Sequence, residues 1–115
     1  MDKFEKWCSD LHKYWLQKDI DDVLNLFTSD VIYYETPGEL IDPKDLRELW
    51  NEVKEQEILA LNYTINEFKN NIGNVSFTLE EKDRSVEMIY IVELNNENKC
   101  KNFMQDFEVF NRIGE

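Results

Sequence analysis

The sequence predicts an α+β fold, with helices gathered at the front and an antiparallel sheet behind them. Three observations carry this reading. Apolar residues recur at helical spacing from Phe4 to Phe27 and again from Leu46 to Val53. The period then changes from 3.6 to 2 at Ile58. From that point, runs of β-type residues follow one another with only short polar turns between them, as in a meander.

Phe4, Trp7, Cys8, Leu11, Tyr14 and Trp15 form the apolar face of a first helix, and Lys18-Asp19 breaks it. Ile20, Val23, Leu24 and Phe27 fit a second, shorter helix. Asp19 caps it, and Asp21 and Asp22 lie in its first turn, where negative charge suits the helix dipole. Thr28-Ser29-Asp30 ends that helix. Val31 to Glu35 is β-branched and aromatic and reads as a strand. Pro37 and Gly38 stop it. Asp42-Pro43 opens a third helix, with Leu46, Leu49, Trp50 and Val53 on its buried face.

Leu59, Leu61, Tyr63 and Ile65 then alternate with polar or small residues, and Asn70-Asn71-Ile72-Gly73 turns the chain. Val75, Phe77 and Leu79 alternate in the next strand, and Lys82-Asp83-Arg84 turns again. Val86 to Leu94 and Cys100 to Phe110 complete the series around an Asn95-Asn96-Glu97-Asn98 turn. The expected order is ααβαββββ. Met88-Ile89-Tyr90-Ile91-Val92 is apolar on both faces, so both need a cover. The helices supply one. A second copy of the chain is the expected other, which makes a homodimer through the outer sheet face, with Ile89 and Ile91 at the contact.

The chain has 115 residues, 42% of them hydrophobic, which suits a single globular domain over 1–115. Its 13 Lys and Arg against 25 Asp and Glu give a formal net charge of −12. Such a surface opposes nucleic acid, where cations must neutralise phosphates, and an anionic membrane. No apolar leader follows Met1, and the run Met88–Val92 is too short to span a bilayer. A cytoplasmic protein with Cys8 and Cys100 free and buried is expected. One histidine, two distant cysteines and scattered carboxylates form no metal site, and three glycines form no phosphate loop. No cofactor is expected.

The stretch from Asp19 to Pro37 narrows the fold. It runs through Asp19-Ile20-Asp21-Asp22, then Leu26-Phe27, then Asp30-Val31-Ile32-Tyr33-Tyr34-Glu35-Thr36-Pro37. It resembles the signature of the nuclear transport factor 2-like superfamily, in particular its SnoaL-like branch with polyketide cyclases and ketosteroid isomerases. Trp50 on the next helix fits that pattern, as do Gly73-Asn74-Val75 and the run Lys99 to Phe103, where Asn98 replaces a glycine. The resemblance implies a cone-shaped roll: a strongly bent, mostly antiparallel sheet wrapped around the long first helix, with an apolar cavity inside. Members include isomerases, cyclases, dehydratases, epoxide hydrolases and non-enzymatic subunits, so the fold does not fix the function.

Carried over residue by residue, the isomerase set is incomplete. Its base position falls on Thr36, which is not ionisable near neutral pH. Its helix tyrosine falls on Leu11, and its protonated aspartate falls on Tyr90. The expected function is therefore binding of a small, largely apolar molecule in the cone. The expected lining is Leu11, Trp15, Tyr34, Thr36, Trp50, Tyr63, Met88, Tyr90, Gln105 and Phe107. An isomerase, cyclase or dehydratase using Glu35 and Tyr90 is the alternative, and a protein-interaction subunit with a filled cavity is another. Strand alternation with Ile32 and Tyr34 facing inward sends Glu35 outward, and Met88 with Tyr90 inward sends Glu87 outward. His12 is expected on the solvated flank of the first helix.

Overall fold

The structure, a computed structural model, describes residues 2–36, 38–105 and 110–111. Helix α1 (Asp2–Gln17) leads into α2 (Ile20–Leu24) and strand β1 (Phe27–Thr36). Strand β2 (Glu39–Ile41), α3 (Leu46–Asn51), β3 (Ile58–Lys69), β4 (Ile72–Glu81), β5 (Arg84–Leu94), β6 (Cys100–Gln105) and β7 (Phe110–Asn111) follow. Short 3-10 turns, Pro43–Asp45 and Glu52–Glu55, flank α3. The result is an α+β fold with a curved, mostly antiparallel sheet, as expected. No helix among the described residues is long and apolar enough to cross a membrane.

The strands lie in the order β2-β1-β6-β5-β4-β3, and β7 pairs with β5. The run β3 to β6 is the antiparallel meander that alternation predicts. Parallel pairing of β1 with β6 was not expected; it sets Phe27 beside Cys100 and Tyr33 beside Phe103. It also explains why α2 stops at Leu24. Phe27 is drawn into the sheet, and the Thr28-Ser29-Asp30 segment becomes strand. Strand β2 was not expected either. Gly38, at φ +86°, turns the chain back so that Leu40 and Ile41 pair with Tyr34 and Tyr33.

Helix α1 buries the face its spacing marks: Phe4, Trp7, Cys8, Leu11 and Trp15. It ends in a left-handed Lys18 (φ +56°), with Lys18 N–H donating to Trp15 and Asp19 N–H to Tyr14, which satisfies two terminal carbonyls. Asp19 caps α2 by accepting from Asp22 N, and Asp42 accepts from Lys44 N. Phe4 lies over Gly73, where any Cβ would overlap its ring. Asn70 and Asn71, both at positive φ, form a two-residue hairpin turn, so Ile72 and Gly73 belong to β4 rather than to the turn. Leu59, expected in the core, is 70% exposed; a bulge between Ile58 and Ala60 throws it outward while Leu61 stays buried.

Candidate functional site

The parity of β5 is the expected one. Met88, Tyr90, Val92 and Leu94 are buried on the helix side, and Ile89 and Ile91 stand on the other face. The parity of β1 is the reverse of the expectation. Val31 and Tyr33 are buried, Ile32 is 49% exposed, and Tyr34 joins Ile32 on the outer face. Glu35 therefore turns inward. The run Val-Ile-Tyr-Tyr is apolar on both faces, so its alternation alone does not choose between them.

A pocket of about 120 Å³ opens between α3 and the sheet. Trp15 comes from α1, Tyr33 and Glu35 from β1, Leu49 and Trp50 from α3, and Tyr90 from β5; Glu52, Val53 and Gln56 close the remaining side. The walls are mainly aromatic. Trp15 meets Trp50 edge-on at 5.3 Å and stacks on Phe77 at 5.7 Å. Phe103 lies between Tyr33 at 4.4 Å and Tyr90 at 4.8 Å. Such packing holds the rings at fixed positions around the space.

The polar atoms divide into committed and uncommitted ones. Trp15 Nε1–H donates to Gln56 Oε1 at 3.0 Å. Tyr90 O–H donates to Met88 Sδ at 3.3 Å. Trp50 is 5% exposed, and its Nε1–H has no hydrogen-bond partner among the described residues. That N–H lies close enough to the Tyr33 oxygen to favour its anion but falls short of hydrogen-bond geometry. Burial nevertheless dominates and holds the Tyr33 pKa well above its ordinary value. Burial, with Glu35 nearby, does the same to Tyr90. Glu35 has its own pKa raised, first by desolvation and then by Glu39 and Glu52. Both phenols are neutral at physiological pH, and Glu35 is a lining carboxyl whose pKa burial raises.

Of the residues expected to line the cavity, Trp15, Trp50 and Tyr90 do, and Glu35 joins them. Met88 sits behind as the acceptor for Tyr90. Gln105 is half-buried and pairs with Tyr90 across the β5–β6 ladder, on the same face. Leu11 is fully buried in the core. Tyr63 lies elsewhere on the inner side, against Phe77 and His12. His12 is not a solvated flank residue: its Nε2 is 2.6 Å from the Leu61 carbonyl oxygen. Thr36 ends β1, and its side chain lies outside the described residues, as does Phe107. Tyr33 and Gln56 were missed. Tyr33 follows from the β1 parity, and Gln56 lies just past the apolar face of α3, where periodicity gives no signal. No group of three His, Cys, Asp or Glu among the described residues is placed to hold a metal ion.

The outer sheet face carries a second feature. Tyr34, Met104 and Ile91 lie in one row across β1, β6 and β5, and Ile32, Asn102, Glu93 and Ile72 in the next. Together they line a groove of about 220 Å³.

No protein-family model matches the chain, and neither does a curated protein. Solved structures do match. An NTF-2-like protein of unknown function from Burkholderia xenovorans LB400 superposes with TM-score 0.74 at 18% identity, over 90% of this chain and 81% of that one. An LEH-like epoxide hydrolase from M. tuberculosis gives TM-score 0.66 at 10% identity, over 94% and 84%. A de novo designed protein with a curved β-sheet gives 0.76 at 14% identity, over 92% and 85%. At these identities the likeness is one of fold, and a designed chain shares it, so function rests on the site.

Proposed function

We propose that this chain, which has the nuclear transport factor 2-like fold, is a single-domain cytoplasmic homodimer that binds a small, largely apolar molecule in the pocket between α3 and the sheet. The observation that carries this reading is the aromatic wall. Trp15, Tyr33, Trp50 and Tyr90 face one concave space and leave it unfilled. Its 120 Å³ lies below the range of drug-sized pockets. That size favours a small ring or a short branched chain as the group the pocket encloses. The homodimer contact is the outer face, where Ile32, Ile72 and Met104 are exposed on an otherwise strongly acidic chain.

A second reading, acid–base catalysis by Glu35, is favoured by the inward turn of that carboxylate and its raised pKa. It covers an isomerase, cyclase or dehydratase. Tyr90 supports it less, because its hydroxyl already donates to Met88.

Benzene, at millimolar concentration, tests the binding reading. The three tryptophan indole N–H signals separate the pocket from the rest of the core. Trp15 and Trp50 line the pocket, whereas Trp7 donates to the Leu26 carbonyl. Saturable shifts of the Trp15 and Trp50 signals, with Trp7 unmoved, are expected in a proton–nitrogen correlation spectrum. Absence of any saturable shift at those two indoles would sink the reading.

A further inference from the structure

Most polar groups of the pocket are engaged or enclosed. Trp15 Nε1–H and Tyr90 O–H already donate, the first to Gln56 and the second to Met88. The Trp50 nitrogen is enclosed in the wall beside the Tyr33 oxygen. The Tyr33 hydroxyl can both give and take a hydrogen bond, so it does not choose between ligands. Glu52 is exposed, where water competes for it. Two half-buried side chains remain, Gln56 just past α3 and Glu35 on β1. Gln56 is held at two points. Its side-chain oxygen accepts from Trp15 Nε1–H at 3.0 Å, and its backbone carbonyl accepts from the Lys18 ammonium, which also reaches the Lys54 carbonyl. The Trp15 bond fixes which end of the carboxamide is oxygen, so the free end is the nitrogen with its two N–H donors. That nitrogen has no acceptor among the described residues, and unlike the Trp50 nitrogen it is not enclosed. Glu35 is the converse. Its carboxylate has no hydrogen bond or ion pair among the described residues and is not enclosed either, while it stands close enough to Tyr33 and Tyr90 to act on both. Both side chains line the same 120 Å³, so one small molecule touches both.

We propose that Gln56 and Glu35 select the ligand's head group: an uncharged group that takes a hydrogen bond from the Gln56 amide and gives one to the Glu35 carboxylate. This rests on the pocket reading above and names the ligand class within it, a small alcohol or carboxamide with an apolar body. A hydroxyl carries donor and acceptor on one oxygen, and a carboxamide carries them on neighbouring atoms. A hydrocarbon leaves both protein groups to water, and a ketone satisfies Gln56 alone. A hydrogen bond to a charged acceptor is stronger than a neutral one, so the O–H or N–H given to Glu35 is the larger source of discrimination.

Cyclopentane, cyclopentanone, cyclopentanol and 2-pyrrolidinone share a five-membered ring and are titrated into the intact protein at pH 7. Binding is read at the Trp15 and Trp50 indole signals. The three oxygen-bearing probes are expected to move the Gln56 side-chain N–H signals downfield, and cyclopentane to bind without that shift. The alcohol and the lactam are expected to move the Glu35 carboxyl carbon signal, and the ketone to leave it in place. In Glu35→Leu, the affinity of the alcohol and of the lactam, each relative to the ketone, is expected to fall about tenfold, near the low end for a hydrogen bond to a charged group because water reaches Glu35. Using the ratio cancels the change in pocket size. Glu35→Gln keeps a side-chain carbonyl and is expected to retain part of the preference. Failure of cyclopentane itself to bind would remove the pocket reading. Cyclopentane binding with no movement of the Gln56 signals by any oxygen-bearing probe would overturn the head-group inference alone, as would ratios unchanged for both alcohol and lactam in Glu35→Leu. A fall for one of the two supports the inference and assigns the head group as hydroxyl or carboxamide. The Gln56 and Glu35 signals are read in the parent protein, so they decide even if Glu35→Leu does not fold.

Discussion

Tyr34 and Glu35 are adjacent in sequence and face opposite sides of the sheet. Tyr34 goes out to the apolar groove, and the carboxylate goes in among rings. Desolvation, together with Glu39 and Glu52, raises the Glu35 pKa above its ordinary 4.5, to which unfolding returns it. The folded chain therefore prefers the neutral carboxyl. The stability tied to that preference is fully present below pH 4.5 and is lost as the pH rises through the raised folded value. Glu35→Gln is neutral at every pH and escapes that loss. Its urea midpoint is expected to exceed the parent's at pH 7 by a fraction of a molar, with the gap closing by pH 4. The gap is small because Glu35 is partly exposed. A gap that widens toward pH 4 would contradict the assigned cause. That Glu35 points inward was not legible in the sequence, because Ile32 and Tyr34 match Val31 and Tyr33 in apolarity. Tyr90 was legible, because Glu87 and Glu93 flank its strand and leave only one sensible parity.

Among the elements, the long helix and the meander strands were readable because a single pattern controls each of them. The buried face of α1 follows the 3.6 period, and Val75, Phe77 and Leu79 follow the period of two. What was not readable depends on partners. Glu39-Leu40-Ile41 is strand only because β1 lies beside it, and Leu59 leaves the core only because β4 imposes a bulge. Helix and sheet meet closely where Phe4 covers Gly73. Adding a methyl there forces the ring away, and Phe4 also stacks on Phe68 at 5.1 Å. Gly73→Ala is expected to cost about 1–3 kcal/mol, the usual penalty of overpacking. Phe4→Leu makes room at the same spot, so the double variant should lose less than the two single losses combined. Denaturant midpoints for the four proteins give the coupling. Agreement with simple addition to within about 0.5 kcal/mol would show that the two groups do not meet.

At the scale of the whole molecule, the sheet is apolar on both faces where β5 runs, as the sequence run Met88–Val92 indicates. Its inner face closes the pocket, and its outer face carries Ile91 in the row with Tyr34 and Met104. The homodimer proposed for that face places Ile91 in a desolvated contact, where an added carboxylate is costly on a chain already at −12. Ile91→Asp is expected to convert dimer to monomer in sedimentation velocity while leaving the far-ultraviolet circular dichroism unchanged. A monomer in both proteins would remove the proposal. The position of the pocket was only partly legible. Trp15 was marked by the apolar face of the first helix, Trp50 by the family pattern and Tyr90 by strand parity, whereas the β1 side depends on the parallel β1–β6 pairing, which no local signal encodes.

That parallel pairing also bears on time. It joins segments roughly 70 residues apart, so a long loop must close before its contacts contribute. The hairpins β3–β4 and β4–β5, by contrast, meet through turns of two residues, and hairpins form in about 1–10 μs. We infer that the meander forms first and that β1 docks on it late. Tyr90 is carried by the early part, and Tyr33 and Glu35 arrive with the late one. The pocket therefore exists only after the slow step, and a bound molecule cannot guide the chain toward it. Its effect is to delay escape: saturating benzene should lower the unfolding limb of a chevron and leave the refolding limb in place. Faster refolding with ligand would place the pocket ahead of the closure.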